Sequence, residues 1–311
     1  MTRFIIRRVA YMILTMVVAT LLVFSLSRVV GDPRLLYVQE GGYGLSPEAW
    51  DALGVKLHLD KPVAVQYLYW LRDAVQFDLG DSMLDRKPVS EILYDALGPT
   101  LQLAFFGWIF ATAVGIPLGV LSAVKRGSIW DYLGRGIALL GQTLPVFWVG
   151  IMGILIFAVQ LRWLPVGTMP DEFSFKHFIM PAITLGWFSA AGYLRLTRSA
   201  MLDVMDSEYI KLARAKGVNA TAVLWKHAFR NAIIAPLTFS SLVLAGFITG
   251  AIVTETVFSW PGLGRLAFTA VDDNDFPLIV GLMLLFTFMF LVVNLITDIL
   301  YAYVDPRIRY G

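Results

Sequence analysis

Several runs of about twenty residues in this chain are almost free of charge, and that excludes most folds before any motif is read. A run of about 18 or more apolar residues is long enough to cross a hydrocarbon core of about 30 Å. Inside such a core every backbone N–H and C=O must be satisfied within the segment, so the runs must be helices. Composition agrees: 58% of the 311 residues are hydrophobic and 15% are charged, against about 45–50% apolar and 25% charged in soluble domains. The expected class is an all-α polytopic membrane protein. A formal net charge of +2 gives no bulk electrostatic reason to expect nucleic acid. The absence of cysteine excludes disulfides, iron–sulfur clusters and thiolate zinc sites.

Six spans are expected, at about 9–30, 100–124, 137–159, 178–194, 233–257 and 278–303. The fourth, at 17 residues, is at the lower limit for crossing a bilayer. The N-terminus has the outline of a signal peptide, with Arg3, Arg7 and Arg8 before an apolar stretch. That stretch, Val9–Val30, is 22 residues long, against roughly 7–15 in a signal peptide, and no small-x-small site closes it. It is read as an uncleaved first span. Lys and Arg set the orientation. Three lie in the N-terminal tail; Lys125, Arg126 and Arg135 lie between spans two and three. Seven lie between spans four and five: Arg195, Arg198, Lys211, Arg214, Lys216, Lys226 and Arg230. Arg307 and Arg309 close the chain, while the short segments of the other side hold only Arg162, Lys176 and Arg265. The positive-inside rule then places both termini in the cytoplasm.

Residues 31–99 form the long external segment, with eleven acidic and six basic residues. Ser46 and Pro47 read as the N-cap and first position of a helix. Val89, Ile92, Leu93, Ala96 and Leu97 fit an amphipathic helix that ends at "GPT" before span two. These short helices are expected to lie on the membrane and brace the first spans. With no repeat and no Pro- or Ser-rich linker, residues 1–311 read as one membrane domain.

Familiar catalytic chemistry is missing. The histidines are His58, His177 and His227, and neither H-E-x-x-H nor G-x-S-x-G occurs. No Gly-Lys dipeptide is present, which removes the phosphate-binding loop of ATPases. Glu255 and Asp298 fall near span ends, so no midplane carboxylate offers a proton relay. The pairs Gly115/Gly119 and Gly246/Gly250 suit close helix approach. Pro117, Pro145 and Pro236 are placed to bend spans.

Against this background "EYIKLARAKGVNATAVLWKHAFRNA", Glu208–Ala232, is anomalous: seven of its 25 side chains are charged or histidine, and six of those are basic. Asp206 or Ser207 suits an N-cap with Glu208 in the first turn, and Lys211, Arg214 and Lys216 favour the negative end of the helix dipole. Gly217 stands where a helix ends in the left-handed conformation, and Asn219 can cap a second helix running through "TAVLWKHAFRNA" into span five. Tyr209, Leu212, Ala213 and Lys216 share a face, and the small Ala213 and Ala215 leave room for a partner. A loop needed only for positive charge against anionic lipid requires no such pair of capped helices.

"ARAKG" followed ten residues later by "HAFRNAIIAP" resembles the cytoplasmic EAA loop of binding-protein-dependent ABC importer permeases, more narrowly the dipeptide/oligopeptide/nickel group. Blocks in that family's order cover nearly the whole chain: "GDP", "LDKPVAVQYLYWL", "DLGDS", "GIPLGVLSAVKRG", "LPVFWVGI", "RWLPVG", "MPAITLGW", "RLTRSAMLDVM", "VTETVFSWPGLGRL" and "NLITDILYAYVDPRIRYG". Against the general E-A-A-x-x-x-G pattern this chain has Lys211, Leu212, Ala213 and Gly217, so the glutamate and first alanine are replaced. The resemblance implies a type I importer permease fold with a cytoplasmic loop 195–232. Ser207, Glu208, Tyr209, Lys211, Leu212, Ala213, Arg214, Ala215, Lys216 and Gly217 would form a coupling helix docked on a separate ATPase. It further implies a second homologous permease, two ATP-binding subunits that hold ATP and Mg, and an extracytoplasmic solute-binding protein. No cofactor and no metal are expected in this chain, which would be an inner-membrane component of a bacterial importer and no enzyme. The alternatives are an ion-coupled secondary transporter acting alone and an intramembrane enzyme. The missing midplane carboxylate weighs against the first and the missing catalytic motifs against the second.

Overall fold

The computed structural model describes the backbone of residues 2–29, 32–37, 46–170 and 174–304, and the side chains among them except 2–4, 249, 250 and 300–304. Gly31 of the "GDP" block and residues 305–311, with Arg307 and Arg309, lie outside the described residues. The described chain is helical, and its one β-type pairing is an isolated bridge between Asp81 and Pro88. It divides into two compact units: Met1–Pro99 with Pro261–Gly311, and Thr100–Trp260.

The first unit holds α1 (Thr2–Val29), a 3-10 turn (Pro33–Tyr37), α2 (Pro47–Lys56), α3 (Val63–Val75) and the first turns of α4 (Val89–Val124). Late in the chain, α13 (Leu263–Asp272) and α14 (Phe276–Val304) complete it. α2 starts as expected, with the Ser46 hydroxyl accepting from the Ala49 N–H at 3.2 Å and Pro47 in the first turn. α1 packs along α14 and touches α3, where Phe24 meets the Tyr67 ring edge-on at 5.4 Å and Thr20 hydrogen-bonds the Tyr67 hydroxyl at 3.0 Å. The loop before α4 is pinned by Asp275, a buried carboxylate at the N-terminus of α14. One oxygen accepts from the Ser82 hydroxyl and from the N–H groups of Met83 (3.0 Å) and Leu84 (3.4 Å). The other accepts from the Leu278 N–H at 3.2 Å and so caps α14.

In the second unit α7 (Phe175–Met205) is the hub against which α5 (Ile129–Thr143), α6 (Val146–Gly153), α11 (Ile234–Gly250) and α12 (Ile252–Val257) pack. Glycines permit the contact with α4: a β-carbon on Gly115 would stand 2.5 Å from the Ala190 carbonyl oxygen, and one on Gly119 would stand 2.6 Å from Thr197 Cβ. The expected close approach at this pair is therefore real. Gly246, by contrast, meets nothing within 4 Å, so it serves no close approach among the described residues.

Among the described residues three helices are long and apolar enough to cross a membrane: Ile5–Val29, Val89–Val124 and Phe276–Ile299. Two bent pairs qualify only when counted together, Ile129–Thr143 with Val146–Gln160 (104°) and Ala220–Ala232 with Ile234–Ile248 (46°). The fourth expected stretch lies inside α7, whose 31 residues give length but include Lys176, Arg195, Arg198 and Asp203. Two expectations are corrected. The amphipathic helix does not end at "GPT": α4 is continuous through Pro99, the missing N–H being a tolerable loss in a helix with neighbours on its flanks. The third stretch is not one rod either. Leu144 is extended (φ −77°, ψ 128°) and Pro145 opens α6, as expected of a residue forced out of the helical region by the proline that follows. Beyond α6, Ile154–Gln160 is π-helical.

Candidate functional site

α7 ends at Met205, and after two intervening residues α8 (Glu208–Ala215) begins. Ser207 has the extended backbone of an N-cap (φ −71°, ψ 151°), yet its hydroxyl donates back to the Val204 carbonyl and caps nothing. Asp206 points elsewhere too, 3.5 Å from Arg126 in an exposed ion pair. The expected side-chain N-cap is thus absent. Glu208 remains in the first turn, where it favours the helix dipole, and accepts from Lys211 Nζ at 2.8 Å. Both side chains are exposed, so this i,i+3 pair contributes little.

The C-terminal end follows the rule read from the sequence. Gly217 has φ +75°, its N–H donates to the Arg214 carbonyl (3.0 Å), and the Val218 N–H donates to the Ala213 carbonyl (3.2 Å). These are the two bonds of a Schellman motif. Asn219 then caps the next helical segment, its side-chain oxygen accepting from the Thr221 N–H at 2.9 Å. That segment is not the regular helix expected. α9 (Ala220–Ala222) passes into π-helical turns at Val223–Phe229, then α10 (Arg230–Ala232), and bends at Ile233 into α11.

One side chain anchors α8. Ile210 is fully buried in a cluster with Val120, Ala123, Met201, Val223, Ala228 and Ala232. Burying such a side chain contributes about 1.5–3 kcal/mol. No motif marks Ile210, although its spacing to half-buried Ala213 is the i,i+3 step of an inward stripe. A second tie is polar: the Tyr209 hydroxyl accepts from Asn231 Nδ2 at 3.1 Å and donates to the His227 carbonyl at 3.4 Å. The remaining named residues, Glu208, Lys211, Leu212, Arg214, Ala215, Lys216 and Gly217, are all exposed. Of the expected shared face, Tyr209 (44% exposed) and Leu212 (56%) stand outward with Lys216, while Ala213 turns inward. The outward surface is an apolar spot ringed by basic side chains. An exposed apolar spot of this kind is suited to contact and carries no reactive group.

Behind α8 lies a buried polar joint that the sequence reading did not single out. Asp131, at the start of α5 and 2% exposed, accepts from Arg198 Nε (2.8 Å) and Nη2 (3.2 Å), from the Ser122 hydroxyl (2.8 Å) and from the Gly127 N–H (3.0 Å). Arg198 Nε also reaches the Ser122 hydroxyl at 3.1 Å. The ends of α4, α5 and α7 therefore meet at one carboxylate. Among the described residues no group of three or more His, Asp or Glu side chains is gathered to hold a metal ion.

Comparison with known proteins gives a consistent result. The family described as "binding-protein-dependent transport system inner membrane component" matches residues 115–310, and its N-terminal companion matches residues 1–104. The chain is 40% identical to the dipeptide transport system permease protein DppB of Escherichia coli K12, covering 100% of this chain and 99% of that one. It is also 40% identical to a putative peptide transport system permease protein of Brucella abortus (100% of each chain), and 37% identical to DppB of Alkalihalophilus pseudofirmus (98% of each). Among solved structures, a chain of the inward-facing MetNI methionine ABC transporter is similar in fold, with a TM-score of 0.53 at 18% identity, covering 69% of this chain and 96% of that chain.

Proposed function

The chain belongs to the binding-protein-dependent transport system inner membrane components, and on that premise we propose that it is the half-pathway of a peptide importer whose ATPase docks on α8. It is a permease subunit of an ABC importer, and the peptide cargo is carried over from the relatives it matches along its full length. The observation that carries the docking assignment is α8 itself. One fully buried residue and a Schellman turn fix the helix to its own chain, while Tyr209, Leu212, Ala215 and Lys216 stay outward. A helix held so firmly and covered so little suits a surface that must receive force without deforming.

In this reading six spans cross the membrane: α1, α4, the broken α5–α6 segment, α7, α11–α12 and α14, with both termini cytoplasmic. The basic residues of 195–232 favour that orientation. Two ATP-binding subunits hold ATP and Mg, a second homologous permease completes the cavity, and an extracytoplasmic solute-binding protein delivers di- or oligopeptides. The chain itself supplies alternating access in the lipid bilayer and performs no chemistry.

The test is reconstitution in proteoliposomes with a homologous partner permease, two ATPase subunits and a solute-binding protein. Uptake of a radiolabelled dipeptide is expected only with ATP present inside. Uptake by this chain alone, driven by a proton or sodium gradient, would overturn the assignment in favour of a secondary transporter.

A further inference from the structure

The joint at Asp131 is placed where force from α8 would have to pass. α7 leads into α8 with two residues between them, and Ile210 of α8 shares one buried apolar cluster with Val120 and Ala123 of α4 and Met201 of α7. α8 is therefore joined to the ends of α4 and α7 through an apolar cluster, which resists separation but does not fix direction. The polar joint does fix direction. Arg198 on α7 grips Asp131 on α5 through two of its nitrogens and Ser122 on α4 through one, and Asp131 also holds the Gly127 backbone between α4 and α5. A guanidinium fork constrains orientation as well as distance. The same helices lie close along their lengths, since a β-carbon on Gly134 would stand 3.1 Å from Ser122 and one on Gly141 would stand 2.4 Å from Ala191. Arg135 is the other cation facing the carboxylate, 3.7 Å away and half-exposed. It can partly replace the charge of Arg198 but not its grip on α7.

We propose that Asp131 and Arg198 are positioning residues for transport: their ion pair makes the ends of α4, α5 and α7 follow α8 as one body. This rests on the reading of α8 as the ATPase-docking helix. A buried pair of this kind adds little net stability, because desolvation offsets most of its attraction. Its value lies in geometry, and losing it should change how far ATP hydrolysis is converted into transport more than how much complex is present.

The experiment measures ATP hydrolysed per dipeptide imported by the reconstituted complex. Arg198→Gln leaves a buried carboxylate with only the peripheral Arg135 as counter-ion and endangers the fold. Asp131→Asn/Arg198→Gln, which removes both charges and leaves two amides able to hydrogen-bond, is therefore measured beside it. The double variant should hydrolyse ATP at the wild-type rate while uptake falls about tenfold, a loss within the usual range of site-to-site coupling. Arg198→Lys, which restores the charge without the fork, should fall between. An unchanged ratio in the double variant, with uptake and hydrolysis falling together, would mean the pair is only structural. Because the chain has no cysteine, spin labels at Ile129→Cys on α5 and Asp203→Cys on α7 report directly on the otherwise unaltered joint. Their separation should not change on ATP addition, and a changed distance overturns the proposal. Leu212→Asp tests the underlying reading independently: if that variant keeps its ATPase subunits and its uptake, α8 is not the docking helix, whatever the joint does.

Discussion

Replacing Gly217 isolates the contribution of a single backbone conformation. Its φ of +75° lies in the left-handed region, and a β-carbon built there meets nothing within 4 Å. A substitution therefore adds no steric clash, and only the dihedral penalty remains. For an ordinary L-residue that penalty is about 1–2 kcal/mol. The escape is to return to negative φ and lose the Gly217–Arg214 and Val218–Ala213 bonds, which together contribute about 1–3 kcal/mol. Strain and escape are close in size, so the outcome depends on side-chain type. Asparagine tolerates the left-handed region best and should keep the turn. Alanine should keep it at a cost, and the β-branched valine should abandon it. A loss of about 1–2 kcal/mol corresponds to a factor of roughly 5–30 in population of the turn. ATP hydrolysed per peptide imported should rise in the order Gly217→Asn, Gly217→Ala, Gly217→Val, with membrane insertion and subunit composition unchanged. A Gly217→Val complex that transports at the wild-type ratio would refute the reasoning. So would equal defects in Asn and Val, since backbone strain cannot then be the cause.

Four further outcomes can be checked. Ile210→Ala should lower the stability of the cytoplasmic block by about 2–5 kcal/mol, read as an earlier thermal transition in detergent; Leu212→Asp should leave that transition in place while losing co-purifying ATPase. Gly115→Ala drives a β-carbon to 2.5 Å from the Ala190 carbonyl oxygen and should cost about 1–3 kcal/mol as overpacking, whereas Gly246→Ala, facing open space, should be neutral or slightly stabilising in the same assay. Asp275→Ala leaves the buried Ser82 hydroxyl without its acceptor at a cost of about 1–3 kcal/mol, and should expose the loop of residues 83–87 to protease added outside. Reporter enzymes fused after Gly80 and after Gly217 should read outside and cytoplasm respectively, and any other pattern overturns the six-span arrangement.

Local rules in the sequence reached surprisingly far into the candidate site. Gly217 and Asn219 could be read because each acts within four residues of itself, one through φ and one through a side-chain cap. Ser207 shows the limit of the same logic: its hydroxyl has two nearby uses, and the bond back to Val204 wins over the cap. Ile210 was passed over because its burial depends on Val120 and Val223, which no spacing within α8 reveals. The Asp131–Arg198 contact joins positions 67 residues apart, and both residues read on their own as ordinary cytoplasmic charges. Pro145 and Pro99 are the same residue type with opposite outcomes. At Pro145 the preceding Leu144 turns extended and the helix breaks, while at Pro99 a long apolar helix continues through the missing bond. What surrounds a proline decides this, and the sequence does not show it.

The π-helical turns at Val223–Phe229 have a consequence for length variation in this region. An α-helix advances about 100° per residue, and a π turn holds one residue more than an α turn over nearly the same rise. The segment therefore takes up one extra residue without changing the rotation at which α11 sets out, while Val223 and Ala228 both belong to the Ile210 cluster. Deleting one residue here would let the segment relax to ordinary α-helix and leave α11 at nearly the rotation it has now, whereas a deletion within the regular helix of α11 would turn everything after it by about 100°. A one-residue deletion should thus be better tolerated at Val223–Phe229 than within Ile234–Gly250. The spacing between Gly217 and Pro236 then carries one residue of slack, held in the winding of the helix and not in its length.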